Sequence, residues 1–156
     1  PALDGVHAAQ RAALLGAGVC PRGSLAAWVD RLDPAAPFPL CVRAGGNAVD
    51  GAIKMTGGWD ACRQLVQLLT AGGLGRRGCR VLDVGANIGV CSVMLARLGY
   101  HVDAVEPLPA NAALLEASLR LNGIPQAQSG RVVRPHEGHA KGFGSVRLWQ
   151  GALGHR

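Results

Sequence analysis

The chain has 156 residues, 49% hydrophobic and 17% charged, a balance opposite to that of disordered segments. Its 23 glycines follow no G-X-Y period, which excludes collagen, and no apolar stretch approaches the ~18 residues a bilayer crossing needs. Sixteen Lys and Arg against ten Asp and Glu give a net charge of +6. A basic excess can serve nucleic acid. Here the arginines are scattered, only Arg76, Arg77 and Arg80 cluster, and no stacking aromatics lie between them. A solvated basic surface is the expectation, and nucleic acid is not the favoured partner. The chain opens on Pro1 rather than methionine, so a processed chain or a fragment is expected and a missing leader carries no information. The compartment is not legible.

Five cysteines (Cys20, Cys41, Cys62, Cys79, Cys91) form no C-x-x-C pair. That spacing fits neither a zinc knuckle nor a disulfide scaffold, so buried free thiols are expected, with a single Cys20–Cys41 bridge as the alternative.

In chain order, two short helices are predicted first. One spans Val6 to Leu15; the other starts at Ser24 as N-cap, with Leu25, Trp28, Val29 and Leu32 on one face, and Asp33-Pro34 stops it. The proline-rich passage Pro34 to Pro39 reads as a linker. A short strand, Leu40 to Val42, and a turn at Gly45-Gly46-Asn47 follow. Residues 1–45 are thus expected as a mainly helical, Pro-rich N-terminal extension, and residues 46–156 as the second unit.

A helix is predicted from Gly58 to Thr70, closed by Ala71-Gly72-Gly73. Val81 to Val84 reads as a buried parallel strand, broken by Gly85. Ile88 to Leu98 is helical, with Gly99 as its C′ residue. His101 to Val105 is a second strand, Ala110 to Leu121 a second helix closed by Asn122-Gly123, Gln126 to Gly144 a loop, and Val146 to Trp149 a third strand. Strand and helix in alternation specify an α/β fold with a parallel sheet and right-handed crossovers.

In open α/β sheets a ligand binds beyond the carboxyl ends of the strands. That edge carries Asp83-Val84-Gly85-Ala86-Asn87-Ile88-Gly89, and Glu106 lies 21 residues after Gly85. Gly85 turns the chain and admits a ligand to bare backbone, Gly89 permits close approach of the helix to the sheet, and Glu106 can hold ribose hydroxyls. The N–H groups of the helix's first turn suit an anion. A dinucleotide fingerprint needs G-x-G-x-x-G; this chain has G-x-x-x-G, with Ala86 and Asn87 in the interval. Asp83 would repel a pyrophosphate and attract a cation. S-adenosylmethionine, with a ribose, an ammonium, a sulfonium and no phosphate, fits.

Val81 to Gly89 resembles the first motif of the class I methyltransferases, in the DVGANIG form of the FkbM-like group. Glu106-Pro107, Asn111, Leu115 and Asn122-Gly123 match that group's continuation, and Gly58-Trp59-Asp60 resembles its G-x-W-E lead-in. The likeness covers residues 50–123, extends weakly to 146–154, and leaves residues 1–45 out. It implies a Rossmann-like class I methyltransferase sheet that stops after three of seven strands, and methyl transfer from S-adenosylmethionine to the oxygen of a small molecule or glycan. Gly85 and Asn87 would line the methionine half, Asp83 would face the ammonium, Glu106 would hold the ribose, and Ala152 to Gly154 would lie near adenine. His155 and Arg156 stand where the group keeps an acidic residue. The expected cofactor set is Asp83, Val84, Gly85, Ala86, Asn87, Gly89, Glu106 and Pro107, with Trp59 added because it precedes a helix near that edge. Weighed beside the enzyme are a non-catalytic nucleoside-binding or interaction module of the same fold and a nicotinamide-dependent oxidoreductase. No catalytic base can be assigned.

Other tempting residues are read as structural. His136-Glu137-Gly138-His139 is not H-E-x-x-H and is expected as a solvated loop, so no metal site is predicted. Trp28 and Trp149 are expected in the core, Cys91 as a small buried residue, and His101 as the start of a strand.

Overall fold

The computed structural model describes residues 18–32, 37–71, 78–126 and 142–151. The helix predicted at Val6 to Leu15, the His136–His139 loop and the Ala152–Gly154 turn lie outside them. Among the described residues the elements are β1 (Ser24–Val29), β2 (Phe38–Arg43), α1 (Ala48–Thr56), α2 (Asp60–Ala71), β3 (Arg80–Val84), α3 (Val90–Arg97), β4 (His101–Glu106), α4 (Pro109–Leu121) and β5 (Ser145–Gln150).

The α/β expectation holds for the second half. β3, β4 and β5 form a parallel sheet in that order, with Val84 opposite Val105 and Glu106 opposite Gln150. Val102, Ala104 and Val146 are buried on the face that meets Val93, Leu95, Leu114 and Leu115 of α3 and α4. On the other face Val105 is buried, while Leu82, Val84 and Trp149 are exposed. β3 was expected as a buried strand, but Leu82 is 62% and Val84 58% exposed, because β3 is the sheet edge and both crossover helices lie on the opposite face. Trp149, expected in the core, is 42% exposed on that side; its ring stacks under the Arg147 guanidinium at 5.7 Å. His101 does begin a strand, its Nδ1 2.9 Å from Ser145 Oγ.

Residues 24–32 depart from the predicted helix, and Phe38 and Pro39 from the predicted linker, while the strand predicted at Leu40 to Val42 is present within β2. β1 and β2 pair antiparallel from Ser24 opposite Arg43 to Val29 opposite Phe38, so Phe38 and Pro39 belong to a strand. The Leu25, Trp28, Val29, Leu32 spacing satisfies a helix period, but the partner strand decides the outcome. Phe38, Leu40, Cys41 and Val42 are buried, and β1 covers them only as a strand. Ser24 is no N-cap: its hydroxyl and its N–H both donate backwards to the Pro21 carbonyl, closing a turn at Gly23 (φ +79°). On its far side β2 lies along α4, where the Cys41 N–H donates to Ser118 Oγ at 2.9 Å and Asn122 Nδ2 donates to the Pro39 carbonyl at 2.8 Å. The hairpin shares one hydrophobic core with α3 and α4.

The thiol expectation is also corrected. Cys20–Cys41 is a disulfide, as the alternative allowed, and Cys62–Cys91 is a second one, joining the first turns of α2 and α3; Cys79 alone is free among the described residues. Sequence spacing missed the second bridge because its partners lie 29 residues apart and meet only once both helices pack. No helix among the described residues is long and apolar enough to cross a membrane.

α1 was not foreseen; the sequence reading placed a turn at Gly45-Gly46-Asn47 and no element between it and Gly58. A capping box starts it: Asn47 Oδ1 accepts from the Val49 and Asp50 N–H groups while Asp50 Oδ2 accepts from the Asn47 N–H. Gly57, at φ +66°, ends it.

Replacing Cys20 and Cys41 together by alanine should cost about 2–4 kcal/mol of stability, as expected for a bridge closing a loop of this size. Urea denaturation of the double variant beside the wild type measures it.

Candidate functional site

The site lies at the carboxyl ends of β3 and β4. β3 delivers Asp83 and Val84, Gly85 turns the chain at φ +81°, Asn87 follows at φ +53°, and Gly89 caps α3 at φ +90°. The two glycines act differently. A Cβ on Gly85 would meet nothing within 4 Å, so backbone conformation alone requires glycine there. A Cβ on Gly89 would run into the Leu115 side chain, so Gly89 brings α3 close to α4, where approach to the sheet had been expected.

Four N–H groups of this turn are spent internally. Those of Gly85 and Ala86 both donate to the Val105 carbonyl (2.9 and 3.0 Å), that of Gly89 to the Ala86 carbonyl (2.9 Å), and that of Asn87 to Glu106 Oε2 (2.8 Å). Four donors that could have cradled a phosphate are therefore committed to the fold.

What the edge offers is acceptors. Glu106, 3% exposed, takes Asn87 N–H on Oε2 and, on Oε1, Leu108 N–H (2.9 Å) and Asn111 Nδ2 (3.0 Å). A carboxylate has about four acceptor positions, so one is left, on Oε2. Asn87 Oδ1 is buried with no hydrogen-bond partner. Asp83 Oδ2 accepts from Ser92 Oγ at 2.6 Å. Burial raises the Asp83 carboxyl above its ordinary 3.8, and the nearby Glu106 charge raises it further, while the Ser92 hydrogen bond works against both.

Of the predicted residues, Asp83, Gly85, Ala86, Asn87, Gly89 and Glu106 come together here. Val84 ends β3 largely in solvent, and exposed Pro107 leads from Glu106 into α4. Trp59 is half-buried against the core, before α2, and Cys62 three residues on ties it to α3 through Cys91. Sequence reading missed Ser92 and a charged chain behind the site. Arg43 pairs with fully buried Asp50 (Nη1 to Oδ2, 2.8 Å), and its Nη2 donates to Asn111 Oδ1. The Asn47-x-x-Asp50 capping spacing was the available signal.

Gly85→Ala should cost about 1–2 kcal/mol for the left-handed backbone alone. Gly89→Ala should cost more, about 2–5 kcal/mol, because displacement of Leu115 is added. Urea denaturation compares the two.

The Asp83 carboxyl titrates higher folded than unfolded, so the neutral form is the one the fold favours. That stabilisation is complete below pH 3.8 and is lost as pH rises through the folded value. Asp83→Asn should therefore gain stability relative to wild type across that window and keep a constant advantage above it. Denaturation midpoints in a pH series test this; a difference that does not vary with pH would remove the assignment.

No family model matches this chain, and no curated protein is similar to it at a significant level, so a ligand for this edge has to be argued from its acceptors and its committed N–H groups.

Proposed function

We propose that this chain is the S-adenosylmethionine-binding portion of a methyltransferase. The observation that carries the reading is the set of side-chain acceptors at this edge: Asn87 Oδ1, buried without a partner, the Asp83 carboxyl and the last acceptor position of Glu106. Such an edge favours a ligand bearing donors and positive charge. An ammonium answers Asp83 and Asn87, and a ribose hydroxyl answers Glu106 Oε2. A pyrophosphate would meet the carboxylates of Asp83 and Glu106, with the N–H groups of Gly85, Ala86, Asn87 and Gly89 already used, so a dinucleotide is the poorer fit. The resemblance to the FkbM-like group agrees, and adds oxygen of a small molecule or glycan as the methyl acceptor.

When bound, S-adenosylmethionine supplies a methyl group already activated by its sulfonium. The residues here would bind and orient it: Asp83 and Asn87 the amino-acid end, Glu106 the ribose, and the bare Gly85 backbone the contact surface. An approaching ammonium would also bring the raised Asp83 carboxyl back down, so the cation and the carboxylate strengthen each other.

Exposed Leu82 and Val84 favour a second reading, a non-catalytic nucleoside-binding or interaction module of the same fold. Such a module would show no methyl transfer to any hydroxyl acceptor.

Calorimetric titration with S-adenosylhomocysteine should give heat of binding, and NAD should give none. No heat with S-adenosylhomocysteine, or tight NAD binding, overturns the reading. Glu106→Gln should weaken S-adenosylhomocysteine by roughly ten- to a hundredfold through loss of one charged hydrogen bond.

A further inference from the structure

We propose that Arg43, on β2 of the N-terminal hairpin, is a positioning residue for the ligand edge: it sets the Asn111 amide so that Asn111 fills Glu106 Oε1 and holds the remaining acceptor position, on Oε2, in place for a ribose hydroxyl. The inference rests on the nucleoside reading of the site and extends it to residues that the FkbM-like likeness leaves out.

Arg43 acts through the Asn111 amide. The two ends of an asparagine side chain are nearly the same size, and a half-turn exchanges carbonyl and NH2. Turned one way, Asn111 donates to Glu106 Oε1 at 3.0 Å; turned the other, it would present an oxygen to a carboxylate. Arginine only donates, so the Nη2 of Arg43 on Asn111 Oδ1 selects the first orientation.

Arg43 can impose this because it is itself held on every side. Its N–H donates to Asp50 Oδ1 at 2.7 Å and its Nη1 to Asp50 Oδ2 at 2.8 Å. Its carbonyl accepts from Lys54 Nζ at 3.1 Å. Asp50 is wholly buried and is tied in turn to the Asn47 N–H at 3.1 Å. Gly46 has to be glycine, since a Cβ would overlap the Asp50 carboxylate. The planar guanidinium then reaches Asp50 with one arm and Asn111 with the other. Lysine, a single point charge, can keep the ion pair but cannot bridge both. Loss of the bridge frees the amide to turn, and Glu106 loses a donor on Oε1. The remaining donors, Asn87 and Leu108 N–H, then pull the carboxylate out of its present plane.

The test uses the full chain with Arg43→Lys, which retains charge beside Asp50, and Asn111→Ala as a second variant that deletes the relay but leaves the Arg43–Asp50 pair. Two readouts are taken. In amide hydrogen exchange, the Asn87 and Leu108 N–H groups should exchange about tenfold faster in both variants, while Val102 to Val105 in β4 keep wild-type protection. In calorimetry, the affinity ratio of adenosine to 2′,3′-dideoxyadenosine should fall about tenfold toward one. Unchanged Asn87 and Leu108 exchange, acceleration spread evenly over β4, or both nucleosides weakened in parallel would each overturn the positioning role. A wild type that binds neither nucleoside would overturn the nucleoside reading, and local exchange would still decide for or against Arg43.

Discussion

Burying a carboxylate costs several kcal/mol unless hydrogen bonds replace its water, and Glu106 has three such bonds from three different segments. Asn87 belongs to the turn after β3, Leu108 to the entry of α4, and Asn111 to α4 itself. One side chain at the tip of β4 thereby joins the glycine turn to the second crossover helix. Without it, three donors would face an apolar interior, and the geometry of the candidate site would have nothing to hold it. The same bonds leave Glu106 a single acceptor position for a ligand.

The support behind Glu106 comes from the N-terminal hairpin. Arg43, partly exposed, pairs with fully buried Asp50, and such an ion pair is on its own weak evidence for stability. Its placement is more telling than its energy, because the arm of Arg43 that does not touch Asp50 touches Asn111. The apolar side of the hairpin joins the core of the sheet and its helices, and Ser118 and Asn122 of α4 take polar groups on the open edge of β2. The Cys20–Cys41 and Cys62–Cys91 bridges act at the margins, one fastening the entry of the hairpin and the other fastening α2 to the start of α3.

Much of the sheet was legible in the amino-acid sequence. The β3, β4 and β5 strands, α3 and α4 fall within one or two residues of their predicted limits, because each signal is local: a short apolar run, a helical period, a glycine at the end. Asp83, Gly85 and Glu106 were named on spacing, and Asn87 through the family resemblance. What failed was long-range. The Leu25 to Leu32 spacing permits a helix, and only the apolar strand beside it makes a strand the better burial. The glycines around Asn47 hid a helix that its capping box nucleates. Gly89 was assigned close packing correctly in kind, but against the sheet rather than Leu115. The Cys62–Cys91 bridge joins residues that no spacing rule connects.

The sequence by itself determined the alternation of strands and helices, the left-handed turn after β3, and which acidic residues stand at the strand tips, since these follow from backbone preference and side-chain period. The tertiary structure decided which groups remain available there. It uses up the N–H groups of Gly85, Ala86, Asn87 and Gly89, takes three acceptor positions of Glu106, and leaves Asn87 Oδ1 unpaired. It also brings Arg43 to Asn111, 68 residues further along the chain. Hydrogen-bond capacity belongs to a residue type, but its spending depends on which neighbours the fold brings within 3 Å, and no local pattern encodes that.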